Sequence, residues 1–413
     1  MKNIKHVLVA GGGAAGMVAA VSAARMGARV TIAERNPRVG KKILATGNGR
    51  CNYTNINTSS DYYYGGNPEF TRGALSIFSA GDAIRFFEKL GIEPKVEEQG
   101  KVFPMSEQAS SVLDVLLYEL NKLGVNIICN ALVKKITKEN DCFFVEIENK
   151  DIIKADRVII ATGGKAMPSS GSDGNGYELA AGLGHRITDI FPALVQIMLE
   201  GSFFKRIEGV KIKGTAEVIS GNRSVVRDSG DILFANYGVS GPPILQISRR
   251  AGELLRNGNE AFLKIVMMDK HETEVLKLIE KRFMRDRNKP VDFSFVGLIN
   301  KRLIPVILSE AGINDVKRPV SEVSLNERKS IARVLTDWRF KIRGTKSWPS
   351  AQVTVGGVDT GEIDPNTMES RLVKGLYFAG EIIDVDGYCG GFNLQWSWSS
   401  GYVSGFNAAT RTD

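Results

Sequence analysis

The chain has 413 residues, 43% of them hydrophobic and 24% charged, with 44 glycines and a formal net charge of +8. That length excludes one small core and predicts two or three domains; the composition excludes a disordered chain, and no apolar run reaches the roughly 18 residues that span a bilayer. Four cysteines without CxxC spacing and three histidines exclude a disulfide framework and a multi-histidine centre, so no metal site is expected.

The first apolar run carries no cleavable signal and leads straight into glycines, so a cytoplasmic protein is expected. Residues 4–10, IKHVLVA, have the unbroken apolar character of a buried parallel strand. GGGAAG follows, then the Ala-rich MVAAVSAARMG, a strong helix former that ends on glycine. ARVTIAE is the next strand and ends on Glu34, completing a βαβ unit. Residues 62–125 are predicted as a helical excursion, and ALVKKIT (131–137) as a core strand. ADRVIIATGG (155–164) is a second strong strand ending in glycines, and His185 closes the helix of GSDGNGYELAAGLGH (171–185).

From 191 to 269 the pattern changes to strand-like pieces and turns, and from 270 to 345 it becomes helical and charged. Ser324 and Glu327 form an S-x-x-E helix start within that stretch. Its basic run KRFMRDRNK (Lys281–Lys289) is read as the solvated face of a helix, so a nucleic-acid partner is not expected. KGLYFAGE (374–381) is a third strand, leading into GYCGGFNLQWSWSSGY (387–402). The domain plan is therefore 1–190 with 346–413 as a nucleotide-binding domain, interrupted by a β-rich insert (191–269) and a helical subdomain (270–345).

Gly11, Gly13 and Gly16 form G-x-G-x-x-G between strand and helix, with Ala14 and Ala15 opening the helix. Gly11 permits a tight turn, Gly13 lets a pyrophosphate approach the backbone, and Gly16 lets helix and strand pack closely. The helix N-terminus offers N–H groups to phosphate, and Glu34, followed by Arg35, stands where a carboxylate accepts from a ribose. Two further strand-end motifs follow, ATGG with Thr162 and Gly163, and GLYFAGE with Gly380 and Glu381. The trio resembles FAD-binding proteins of the glutathione-reductase and succinate-dehydrogenase type. Their last motif usually ends in Gly-Asp; Gly380-Glu381 is a mild departure, since the longer carboxylate still reaches a ribityl hydroxyl.

VGKKILATGNGRCNYTN (39–55), GKVFPMSEQASSV (100–112), YGVSGPPILQIS (237–248), QVTVGGV (352–358) and GEIIDVDGYCGGFNLQWSWSSG together sharpen the resemblance. In this order they resemble the flavoprotein family named after YhiN, which includes aminoacetone oxidases and BaiN-like bile-acid enone reductases. The resemblance implies an α/β fold: a Rossmann-type FAD-binding domain with an inserted β-barrel and a small helical subdomain. It implies FAD as cofactor, with Lys41, Lys42, Arg50, Cys51 and Asn52 along the pyrophosphate and flavin. It also implies that Val133 holds adenine through its backbone. Cys51 itself reads as a small packed side chain rather than a redox thiol.

A flavin performs the electron transfer while the protein positions substrate against N5. Gly391, Phe392, Asn393 and Leu394, at the start of a helix, are placed to stabilise negative charge on the flavin's pyrimidine end. Trp396 and Trp398 lie two apart, cannot share one helical face, and at most one looks into the active site. Without a second G-x-G-x-x-G unit, two reactions stay open. One is reduction of an activated C=C, with NAD(P)H as a transient reductant; the other is oxidation of a small amine by O2. Proton-transfer candidates are Tyr388, Cys389 and Lys101. Readings of another class, a nucleic-acid-associated flavoprotein or a non-catalytic flavin sensor, are weighed against these small-molecule enzymes.

Overall fold

The computed structural model describes residues 4–221 and 223–411. The chain forms two compact units, one running up to Phe191 and again from Gln352, the other Pro192–Ala351. In the first unit β1 (His6–Ala10) is buried along its whole length, as its unbroken apolar sequence requires. It pairs in parallel with β2 (Arg29–Ala33) on one side and with Arg157–Ile160 on the other. Asn126–Ile128 extends the sheet beyond β2, and Leu376–Phe378 extends it beyond Arg157–Ile160, both in parallel. The strand order reverses at β1, which opens a crevice at the carboxyl ends of β1 and Arg157–Ile160.

Helix α1 (Ala14–Arg25) is buried at nine consecutive positions, Ala15 to Ala23, because it is covered on both sides. One cover is the sheet; the other is the closing helix Phe392–Thr410. Small residues bring the two helix backbones together: a Cβ on Gly401 would lie 2.4 Å from the Ala15 carbonyl oxygen. At Gly405 the corresponding distance to the Ala19 oxygen is 2.1 Å. The Ser22 hydroxyl donates to the Tyr402 carbonyl at 2.8 Å across the same contact. An antiparallel meander of Val133–Glu139, Cys142–Ile147 and Ile153–Ala155 completes the nucleotide-binding half.

The stretch expected to be a helical excursion holds three helices, Thr71–Ile77, Ala80–Lys89 and Ala109–Lys122. It also supplies two strands, Pro94–Val96 and Lys101–Pro104, of a small sheet with Thr54–Asn55.

The second unit holds a closed six-stranded barrel of Ile197–Leu199, Gly238–Ser240, Arg223–Ala235, Lys211–Ser220, Phe262–Val266 and Trp338–Thr345. The last of these strands follows the helical segment, inside the range read as helical, and its W-x-F-x-I alternation buries Trp338, Phe340 and Ile342. Helices Glu272–Arg285 and Leu325–Thr336 lie between the last two barrel strands in sequence. The second is started by a full Ser324–Glu327 capping box. Among the described residues no helix is long and apolar enough to cross a membrane.

Candidate functional site

The crevice at the reversal of the sheet is an open groove lined by the ends of β1 and β2 and by residues 161–163 and 170–172. Its floor is the turn after β1. Gly11, at φ +106°, donates its N–H to the Ala33 carbonyl at 2.8 Å, and a side chain there would strike the Ala161 oxygen. Gly16 lies under the turn, where a Cβ would come within 1.9 Å of the Gly11 oxygen. Gly13 differs: a Cβ there would meet nothing within 4 Å, because the position faces the groove. Gly13 is also the N-cap of α1 and no side chain caps that helix, so its first N–H groups face the groove with no protein side chain assigned to them.

Glu34 is only 7% exposed, yet it is held by hydrogen bonds rather than by a cation. Its Oε2 accepts from the Gly12 N–H at 2.8 Å; its Oε1 accepts from the Asn36 N–H at 2.8 Å and from Asn36 Nδ2 at 2.7 Å. The segment is pinned to its neighbour by Ala131 N–H donating to the Glu34 carbonyl. Asn36 also donates to the Ser170 carbonyl, and Lys41 donates to the Ser169 carbonyl at 2.8 Å, so the turn at 168–171 closes one side of the groove. Arg35 pairs with Asp173 at that same turn.

Lys42 and Glu381 form a half-buried ion pair in the groove, 2.6 Å apart, and the other Glu381 oxygen accepts from the Thr354 N–H. Next to them the Thr162 hydroxyl is buried without a hydrogen-bond partner, a polar atom left for a bound group to satisfy. Burial, with a further push from Glu381, raises the Tyr177 hydroxyl far above its ordinary value and keeps it neutral.

Of the residues expected around a cofactor, Gly11, Gly13, Ala15, Glu34, Arg35, Lys41, Lys42, Val133, Thr162, Gly163 and Glu381 all line this groove. Asn36, Ser172, Asn175 and Ser397 line it too, and sequence reasoning missed them. Asn36 lies two residues beyond Glu34 and Ser397 one turn into the closing helix, the signals that could have found them. Ala14 and Gly16 stand behind the turn in α1, and a Cβ on Gly380 would lie 2.8 Å from the Ala15 Cβ.

A second cluster surrounds the N-terminus of the closing helix, where Gly391, at φ +102°, is the N-cap and no side chain caps the helix. A Cβ on Gly391 would strike the Thr54 carbonyl oxygen at 2.4 Å and Asn52 Oδ1 at 2.9 Å, so this backbone lies directly on residues 52–54. The Asn393 side chain clamps the preceding loop, accepting from the Gly387 N–H at 2.8 Å and donating to the Gly387 carbonyl at 2.8 Å. Phe392 stacks on Tyr62 and Tyr388 stacks on Tyr64, while Lys101 reaches to 3.5 Å from a Cβ built on Gly390. Lys101, Tyr388 and Cys389 thus share the surroundings of one helix N-terminus.

Two of the loop residues expected along the cofactor lie outside this groove. Arg50 does not line the groove: it pairs with Glu97 and Glu107 and lies 4.1 Å over the Phe103 ring, so its charge is already matched. Cys51 is fully buried, and burial pushes its thiol up to about 12, which fits a packed side chain. Both tryptophans serve packing: Trp396 donates to the Gly380 carbonyl and Trp398 to the Tyr53 carbonyl, and neither lines the groove.

A groove at the reversal point of a parallel sheet, floored by an uncapped helix and walled by an acid at the end of β2, has the form of a dinucleotide site. The class that this fold and groove define is an FAD-dependent oxidoreductase built on a Rossmann-type domain. The chain belongs to the HI0933-like family, since the family model described as HI0933-like protein Rossmann domain matches residues 5–407. It is 38% identical over 411 residues to the 3-dehydro-bile acid delta(4,6)-reductase of Clostridium scindens, covering 99% of this chain and 100% of that one. It is 32% identical over 399 residues to the ribosomal RNA dihydrouridine synthase of Escherichia coli, covering 96% of each.

Among solved structures, a flavocytochrome c3 fumarate reductase aligns with 99% of this chain and 78% of its own, at TM-score 0.50 and 17% identity. The 3-ketosteroid delta1-dehydrogenase of Sterolibacterium denitrificans aligns with 99% of this chain and 100% of its own, at TM-score 0.50 and 12% identity. At such identities the likeness is one of fold.

Proposed function

We propose that the protein saturates a carbon–carbon double bond conjugated to a carbonyl, using FAD in the groove and NAD(P)H as reductant. One observation carries this: relatives that match nearly the whole chain have different substrates in their names, a bile acid and a ribosomal uridine, but the same bond change. NAD(P)H gives up a hydride, the carbon β to the carbonyl receives it, the α carbon takes a proton, and NAD(P)+ leaves. Bound FAD supplies the hydride relay at its N5.

The chain's own residues supply binding, orientation and the proton. The first N–H groups of α1, at Ala14 and Ala15, face the place of a pyrophosphate, and Gly13 leaves room for it. Glu34, held in one orientation by Gly12 and Asn36, has oxygens to accept from ribose hydroxyls. Lys42 and Glu381 neutralise one another, so that Glu381 serves the ribityl chain with its charge already matched. The N-terminus of the closing helix, from Gly391 to Leu394, turns its dipole and N–H groups toward negative charge at the flavin's pyrimidine end. Tyr388 Oη, Cys389 Sγ and Lys101 Nζ are the candidate donors of the proton to the α carbon. Four cysteines with no disulfide among the described residues fit a reducing cytoplasmic location.

The test is anaerobic. Purified, flavin-loaded protein is mixed with NADH or NADPH and bleaching of the flavin is followed; a 3-oxo-4,6-diene steroid is then added. The expected result is bleaching by one nicotinamide, re-oxidation by the enone, and a product with two more hydrogens. Flavin that neither nicotinamide bleaches, or peroxide formed in air from aminoacetone, would overturn the reading.

A second substrate is favoured by how the charge is divided. Pro192–Ala351 holds 28 Lys and Arg against 18 Asp and Glu, a net +10, so the rest of the chain is net −2. An insert that carries all of the chain's net positive charge suits a polyanion better than an uncharged steroid, and uridine within RNA has the same conjugated C=C. Dihydrouridine content of RNA incubated with enzyme and NADPH, measured by mass spectrometry, separates the two substrates.

A further inference from the structure

The basic run Lys281–Lys289 was expected to be a solvated helix face; Lys281, Arg285 and Arg287 are exposed, but the helix ends at Arg285 and the rest of the run is braced beyond it. Helix Glu272–Arg285 ends in the run, and the following chain folds back beside it. Arg282 donates to the Ser294 carbonyl at 2.7 Å and to the Val296 carbonyl at 3.0 Å, which fixes the short helix Val291–Ser294 against the end of the longer one. Residues 287–292 are paired with 316–321: Ser321 N–H donates to the Arg287 carbonyl, Val320 N–H to the Lys289 carbonyl, and Asp292 N–H to the Val316 carbonyl. The basic side chains therefore rise from a braced surface rather than from a free loop.

On this unit's barrel strands half of the eight cations are matched: Lys211 with Asp231, Lys264 with Glu217, Arg339 with Asp337 and Lys341 with Glu260. Lys281, Arg285, Arg287 and Lys289 have no carboxylate within ion-pair distance among the described residues, and the first three are exposed. The single acid in the run, Asp286, accepts from the Asn288 N–H. Lys317 and Arg318, on the paired strand, are matched by Asp292 and Glu327.

Two large apolar side chains are exposed in the same stretch of chain. Met284 is 76% exposed and Phe293 58%. Lys289 lies 5.0 Å over the Phe293 ring, which remains more than half exposed. Unmatched cations spaced around an exposed aromatic ring form the arrangement that holds a nucleic-acid backbone while a base stacks.

We propose that this face, made by Lys281, Arg285, Arg287, Lys289 and Phe293, binds RNA, the four cations taking phosphates and the exposed Phe293 ring stacking an unpaired base. An anionic membrane surface is the competing occupant for a basic patch with exposed apolar side chains. RNA is favoured because a cation already lies over the Phe293 ring and because a membrane-surface helix carries a whole face of large apolar side chains, whereas only Met284 and Phe293 are exposed large hydrophobics between 272 and 294. The proposal rests on the RNA-substrate reading only for the identity of the partner; binding at this face needs no turnover.

Full-length, flavin-loaded protein is titrated into a fluorescein-labelled single-stranded RNA of mixed sequence, and anisotropy is read across salt. Four phosphate contacts predict that Kd rises about 50-fold between about 50 and 200 mM KCl. Arg285→Gln with Arg287→Gln should halve the salt slope. Phe293→Ala should weaken binding about tenfold and leave the slope unchanged. Lys211→Gln with Lys341→Gln removes equal charge from ion-paired barrel positions and should leave binding within about twofold; all variants should keep the wild-type melting curve and bleaching by nicotinamide.

Wild-type binding without salt dependence would overturn the proposal, as would patch variants that bind like wild type or barrel variants that lose as much. Capture by phosphatidylserine vesicles without RNA binding would assign the face to a membrane. RNA bound at this face with no dihydrouridine formed would sink the uridine reading and leave the surface standing. Dihydrouridine formed equally by wild type and by patch variants with unchanged RNA affinity would do the reverse.

Discussion

Replacing Gly13 by alanine separates holding the cofactor from holding the fold. Its φ of −81° and ψ of −168° are backbone angles that any residue adopts, and the added Cβ meets nothing within 4 Å. The apoprotein should therefore fold, its stability unchanged or raised by about 0.4–1 kcal/mol through a stiffer unfolded chain. The same methyl group stands where a pyrophosphate must come to reach the N–H groups of α1. Losing one charge-assisted hydrogen bond there, about 1.5–3 kcal/mol, weakens FAD roughly 10- to 150-fold. Gly16→Ala is the contrasting case, because its Cβ collides with the Gly11 carbonyl oxygen whether or not a cofactor is present. It should destabilise the apoprotein by about 1–3 kcal/mol or more. Apoproteins are melted by circular dichroism and titrated with FAD by fluorescence quenching. Wild-type FAD affinity in Gly13→Ala, or a melting point as low as that of Gly16→Ala, would refute the assignment of the groove.

Three further outcomes follow from the same structure. At about pH 8 the Cys51 thiol, pushed up to about 12 by burial, should react with iodoacetamide on the order of 10^3-fold more slowly than an ordinary cysteine until the protein unfolds, as mass spectrometry of quenched samples would report. Gly405→Ala should lower the melting temperature despite alanine's better helix propensity, because its Cβ would press on the Ala19 oxygen; a raised value would mean the two helices part at no cost. His185 is held below its ordinary 6.5 by burial, against the opposite pull of Glu362, while its ring meets Glu362 and Ser370. The unfolded ring therefore takes up a proton that the folded ring resists, so its contribution is intact above pH 6.5 and is lost as the pH falls below it. His185→Gln should flatten the fall in melting temperature between about pH 7.5 and 5.5.

The nucleotide-binding half was legible because its signals are local. β1, the glycine turn and Glu34 lie within one βαβ unit, and each has a composition that few other structures would use. The strand Trp338–Thr345 carried an equally plain alternation but was read as helical, since helical segments precede it and a six-residue period-2 signal is short. Which other residues meet around the groove was not legible. Lys42 finds Glu381 across the whole length of the insert, and Ser397 enters only because the small residues of its helix let it settle on α1. Arg50 looked free in sequence because Glu97 and Glu107 reach it through a small sheet whose strands are two to four residues long, below what periodicity can detect.

The division of the first unit into two stretches of chain has a consequence for its synthesis. A ribosome completes Pro192–Ala351 as one continuous piece before it begins the segment from Gln352 onward, so the barrel unit has all its strands while the flavin domain still lacks Leu376–Phe378 and the closing helix. Throughout that interval α1 shows its alanine face to solvent, and the groove lacks Glu381 and Ser397. Closing the domain then joins residues more than three hundred positions apart, an entropic cost that grows only slowly with loop length but delays the step. The groove thus has all its walls only after the closing helix is made, and the nascent chain is most open to aggregation and to chaperones just before then.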